Sequence, residues 1–161
     1  MNILVTGAKG MMGTALVSNL KSIKENKNRT RPGLHIDEIY EYDLSSSETE
    51  LEQYCQYANF VFNLAGVNRP QKNEEFMQGN FGFASTLLDT LKKHNNKAPI
   101  MLSSSIQATL IGRYGQSDYG KSKLAGEELF FRYGKENGVK VAVYRFPNLM
   151  GHSRPKYNSA V

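Results

Sequence analysis

The chain has 161 residues, of which 40% are hydrophobic, 22% charged and 11% aromatic, an ordinary balance for one folded domain. No apolar run reaches the length of a membrane-spanning helix, and the opening MNILVTGAKG lacks the basic segment and small-residue site of a signal peptide. The net charge is +5, and the excess lies in residues 113–161, where 9 Lys and Arg face 4 Asp and Glu with no zinc or RNA-binding signature, so nucleic acid is not expected as a partner. That bias suits a small anionic ligand instead. Cys55, the only cysteine, excludes an internal disulfide and points to the reducing cytoplasm.

The elements alternate along the chain. Asn2–Thr6 is a short β-branched run stopped by Gly7 and reads as a buried strand. From Met11 the apolar residues Met12, Leu16, Leu20 and Ile23 fall at helical spacing, and Lys24–Gly33 is a basic loop closed by Pro-Gly. Ile39–Asp43 predicts a second strand, Leu44–Ser47 a turn, Thr49–Tyr57 a short acidic helix and Asn59–Leu64 a third strand. A long helix over Glu74–His94 should bury Phe76, Phe83, Leu87, Leu88 and Leu91. Pro99–Ser103 is a fourth strand, Ile106–Gln116 a loop, Asp118–Asn137 a helix closed by Gly138, and Lys140–Arg145 a fifth strand. This alternation predicts an α/β, doubly wound Rossmann-type domain over residues 1–161, with about five parallel strands and helices on both faces.

Gly7, Gly10 and Gly13 (TGAKGMMG) sit between the first strand and the first helix. Glycines here permit a sharp turn, a close approach of backbone N–H groups to a pyrophosphate, and tight helix–strand packing. Gly7, Lys9, Gly10, Met11, Met12 and Gly13 are therefore expected to bind a dinucleotide. An acid ending the second strand should bind the adenosine ribose, which selects Asp43, with Glu41 as runner-up. A carboxylate there favours NAD, whereas Lys9, Arg29 or Arg31 would favour NADP.

Tyr119 and Lys123 form the one Y-x-x-x-K of the chain, which places both on one helix face. A neighbouring ammonium would lower the phenol pKa from about 10 and make Tyr119 a usable acid or base. Ser103, Ser104 and Ser105 end the fourth strand, where ligands sit in open α/β sheets. The three histidines show no metal-ligand spacing, and no metal is expected.

In this order, TGAKGMMG, the turn Asn63-Leu64-Ala65-Gly66, Asn80 in GNFGFASTLL, Ser103–Ser105 and YGKSK at 119–123 resemble the extended short-chain dehydrogenase/reductases that act on nucleotide sugars. The resemblance implies Ser105, Tyr119 and Lys123 as the catalytic set. Lys123 would also hold the nicotinamide ribose, and Leu64, Ala65 and Gly66 would pass beside the cofactor. AGVNRP, SSSIQAT and YRFPNLMG narrow it to a subgroup, the capsule and O-antigen reductases that form UDP-2-acetamido-2,6-dideoxy-L-talose. That subgroup reduces the C4 ketone of a UDP-4-keto-sugar with NADPH, and it implies Arg69, Asn148, Arg154 and Asn158 on the substrate side. Its members continue into a substrate lobe and a metal-binding cupin, so the chain reads as truncated or as the leading fragment of a split gene. Epimerisation or dehydration of a nucleotide sugar, or a catalytically silent cofactor-binding module, are the alternatives. A homodimer is expected, with a second copy covering exposed apolar surface.

Overall fold

The computed structural model describes residues 1–66 and 77–149. Among these, five strands form one parallel sheet in the order β2-β1-β3-β4-β5. They are β1 (Asn2–Thr6), β2 (Glu38–Tyr42), β3 (Phe60–Asn63), β4 (Ile100–Ser105) and β5 (Val141–Phe146). The helices between them are α1 (Met11–Lys24), α2 (Glu48–Tyr57), α3 (Phe83–Lys93) and α4 (Asp118–Asn137). The predicted doubly wound sheet is present, with strand ends displaced from expectation by a residue or two.

β1 is buried on both faces, and this is why it reads as a continuous apolar run. Ile3 and Val5 pack with Val17, Leu20 and Ile23 of α1, whereas Leu4 joins Leu51, Val61, Leu87, Ile100 and Phe130 under α2, α3 and α4. Alternation along a single strand thus divides the core into two layers. On α1 Leu20 and Ile23 of the predicted stripe are buried together with Gly13 and Val17, whereas Met12 and Leu16 are half-buried. Close packing at Gly13 turns the helix so that Val17 meets the sheet.

The long predicted helix is interrupted. Phe76 and the rest of Glu74–Phe76 lie outside the described residues, and Met77–Gly82 forms a π-helical turn before α3 begins at Phe83. Within α3, Leu87, Leu88 and Leu91 are buried as expected, and Phe83 is half-buried and stacked on Tyr42. β4 runs past its expected end, with Ser103, Ser104 and Ser105 paired to Tyr144, Arg145 and Phe146. Ladder pairing outweighs the poor strand preference of serine. The predicted loop at Ile106–Gln116 contains two short 3₁₀ turns, Ile106–Thr109 and Gly112–Tyr114.

The chain passes from β1 to β2 on one side and to β3 on the other. The sheet therefore reverses its winding between β1 and β3, and a crevice opens at their carboxyl ends.

Candidate active site

The crevice is built first by the turn after β1. Gly7 has φ +68°, and a Cβ there would stand 2.8 Å from the Ala65 nitrogen. At Gly13 a Cβ would lie 2.0 Å from the Gly7 carbonyl oxygen, so no side chain fits. The first turn of α1 carries neither a side-chain cap nor an acid. α2, by contrast, has a reciprocal Ser47–Glu50 capping box, and in α4 Ser117 accepts from the Gly120 N–H. The positive end of α1 is therefore the one among these three left for an outside anion.

The opposite wall comes from the end of β3. Thr6 Oγ1 donates to Asn63 Oδ1 at 2.5 Å and accepts from the Ala65 N–H at 3.3 Å, which folds the Leu64–Gly66 turn over Gly7. At Gly66 a Cβ would meet Asn80 Oδ1 at 2.6 Å and Lys123 Nζ at 2.9 Å. The π-helical turn brings buried Asn80 here, and its amide donates to Ser122 Oγ at 3.1 Å. Ser122 in turn donates to the Tyr119 carbonyl at 2.8 Å and braces the start of α4.

Ser105 is the last residue of β4, and its hydroxyl oxygen accepts from the Gln107 N–H at 3.2 Å. Tyr119 and Lys123 lie one turn apart on α4, with the ammonium 5.7 Å from the phenol ring centre. Lys123 Nζ donates to the Ser103 carbonyl at 3.3 Å. Burial pushes the Lys123 amine down to about 8, against the pull of the Glu127 carboxylate. The lowered Tyr119 pKa expected from Y-x-x-x-K is not found. Burial holds the phenol above its ordinary value, and a hydrogen bond with Ser105 only partly offsets this. In this state Tyr119 keeps its proton at neutral pH.

These residues converge on one cavity of about 500 Å³. Gly7, Gly10, Met11, Met12, Gly13, Leu64 and Gly66 line one side, and Ser103, Ser104, Ser105, Tyr119, Lys123 and Asn148 line the other. Gln107, Phe146, Pro147 and Leu149 also line it; they lie within the SSSIQAT and YRFPNLMG motifs, but none was expected at the site. Lys9, Asp43 and Ala65 are beside the cavity rather than in its lining. The Asp43 carboxylate accepts from the N–H groups of Lys9 at 2.7 Å and Leu44 at 2.8 Å, and Lys9 Nζ donates to Ser45 Oγ at 2.6 Å. The runner-up Glu41 pairs with Lys21 at 2.5 Å. Arg69, Arg154 and Asn158 lie outside the described residues.

No cluster of three His, Cys, Asp or Glu able to hold a metal exists among the described residues. No helix among them is long and apolar enough to cross a membrane. Cys55 is buried and its thiol is pushed up to about 12, so it is no nucleophile at neutral pH.

The sequence model of the NAD dependent epimerase/dehydratase family matches residues 3–161. The chain is 37% identical over 162 residues to a UDP-2-acetamido-2,6-beta-L-arabino-hexul-4-ose reductase of Pseudomonas aeruginosa, covering 100% of this chain and 39% of that protein. It is similar to the capsular polysaccharide assembling protein CapF from Staphylococcus aureus, at 41% identity and TM-score 0.76, over 99% of this chain and 39% of that one. A UDP-glucuronic acid 4-epimerase from Bacillus cereus in complex with NAD shares the fold, at 21% identity and TM-score 0.72, over 97% of this chain and 60% of that one. The chain thus spans about two-fifths of the length of the first two relatives.

Proposed function

The chain belongs to the NAD dependent epimerase/dehydratase family, and from that premise we propose that residues 1–161 are the cofactor-binding domain of a nucleotide-sugar reductase. The substrate is the C4 ketone of a UDP-linked 6-deoxy-N-acetylhexosamine, and the product serves capsule or O-antigen sugar synthesis. One observation carries the reading: Ser105, Tyr119 and Lys123 face the same cavity as the glycine turn.

The residues present fit a dinucleotide. The uncapped end of α1 and the side-chain-free cradle at Gly7, Gly10 and Gly13 suit a diphosphate. Asp43, beside the turn, suits the adenosine ribose, and the Gly66 gap next to Lys123 suits the second ribose. Bound NADH or NADPH supplies the hydride that reduces the ketone carbon. The protein's part is to hold the carbonyl and supply a proton. Ser105, whose oxygen already accepts from Gln107, turns its own hydrogen toward the carbonyl oxygen and polarises it. Tyr119, held protonated by burial, gives its proton to that oxygen as the alcohol forms. Lys123 binds the ribose hydroxyls and, as an ammonium, stabilises the phenolate left behind. Asn148, with Arg69, Arg154 and Asn158, binds the sugar nucleotide. In this reading the chain works in the cytoplasm as a homodimer.

Tyr119→Phe tests the assignment. NADH and NADPH affinities, read by cofactor fluorescence, should stay within about twofold, while oxidation of NAD(P)H by a UDP-4-keto-sugar falls by about 10²-fold or more. Undiminished turnover in the variant overturns the reading.

A further inference from the structure

One turn beyond Lys123 on α4, Glu127 is buried at 2% exposure, and the reaction described above gives it no part. A carboxylate is seldom buried so deeply unless it is paired. This one is shared three ways. Ser104 Oγ donates to its Oε1, Arg145 Nε donates to Oε1 at 2.9 Å, and Arg145 Nη2 donates to Oε2 at 2.6 Å. Ser104 and Arg145 are direct register partners on β4 and β5. A single carboxylate thereby fastens the helix that bears Tyr119 and Lys123 to the two strand ends that bear Ser105 and Phe146.

The groups packed around Lys123 are identifiable element by element. On α4 these are Tyr119 and Glu127, on β4 the Ser103 carbonyl, in the π-helical turn the Asn80 amide, and in the turn after β3 the Gly66 backbone. Arg145 on β5 pairs with the Glu127 carboxylate and reaches solvent, with 41% of its side chain exposed. Glu127 is the one anion among these groups, one helical turn from Lys123.

We propose that Glu127 is a positioning residue: its buried carboxylate, anchored by Ser104 and Arg145, sets the placement of Lys123 against Tyr119 and Ser105 and keeps an anion one turn below the ammonium. This rests on the role given to Lys123 in cofactor binding, and the test separates the two.

In the full 161-residue chain without cofactor, lysine side chains labelled with ¹³C are titrated by NMR, with Lys123→Met identifying the resonance. In the unaltered chain the Lys123 amine, pushed down to about 8 by burial, should titrate there. In Glu127→Gln its midpoint should fall by about one pH unit, since burial then acts unopposed. Glu127→Asp, which keeps the charge, should restore most of it. Because Glu127→Gln strands Arg145 without its partner, Glu127→Gln/Arg145→Met serves as the variant better able to fold. Loss of the Arg145 cation partly offsets loss of the carboxylate, so the midpoint of this double variant should lie between those of Glu127→Gln and the unaltered chain. A purely structural ion pair predicts an unmoved midpoint in folded Glu127→Gln, and that result overturns the proposal. NADH affinity across pH is the second readout, and its alkaline loss should move to lower pH in both variants. If the unaltered chain binds neither NADH nor NADPH, the cofactor reading fails, while the amine titration still decides the role of Glu127.

Discussion

Lys123 is half-buried in the wall of the cavity, and the loss of water around its ammonium pushes the amine down from 10.5 to about 8. The sign of the consequence is fixed. Between pH 8 and 10.5 the unfolded chain holds the proton that the folded chain has shed, so this residue's contribution to stability rises with pH across that window. Below pH 8 the burial penalty is present in full. Lys123→Met should therefore stabilise the fold at pH 7 by about 1–2 kcal/mol in urea unfolding, while weakening NADH binding. Equal or lower stability would show that the amine is already well solvated. Asp43 offers a second test, since its carboxylate meets the glycine turn at the Lys9 N–H. Asp43→Asn keeps one acceptor and removes the charge, and should raise the NADPH-to-NADH affinity ratio about tenfold, or about 1.4 kcal/mol. Parallel fluorescence titrations read that ratio, and an unchanged value would place the 2′ position away from Asp43.

Among the elements, α1 and α3 both start on a glycine without a side-chain cap, but α3 continues directly from the π-helical turn, whereas α1 starts from the turn after β1. α2 begins with a complete capping box, and α4 begins with Ser117. α1 begins with Gly10 and no cap, so it spends none of its N-terminal N–H groups on its own side chains. Such an element depends on close packing at Gly13. Gly13→Ala would drive a methyl to 2.0 Å from the Gly7 carbonyl, and should cost about 2 kcal/mol or more and abolish cofactor binding. Thermal unfolding and NADH titration would read both losses, and a variant with unaltered melting would mean that the turn can relax. The π-helical turn at Met77–Gly82 is the other functional element. Its irregularity brings Asn80 against Ser122 and Gly66, and the regular 3.6-residue pattern read from the sequence could not register it.

For the molecule as a whole, the sheet order puts β3 at the centre between β1 and β4, and the cavity lies at the carboxyl ends of these strands. Phe131 on α4 is an apolar side chain left 52% exposed, and the proposed homodimer would cover it. Sedimentation should accordingly find twice the chain mass, and Phe131→Asp should return it to one chain; a monomer before substitution would end the homodimer reading. The alternation of strands and helices, the glycine turn and the Y-x-x-x-K pair were legible from the chain itself. Each is encoded among near neighbours, by side-chain periodicity, by glycine's freedom at φ > 0 and by the i, i+4 spacing of a helix. Tertiary structure alone decided the pairing of Ser104 with Arg145 through Glu127, the placement of Asn80 beside Lys123, and the upward rather than downward shift of the Tyr119 phenol. Those features depend on burial and on groups brought together from distant parts of the chain, and a pKa follows the surroundings that folding assembles rather than the spacing of two letters.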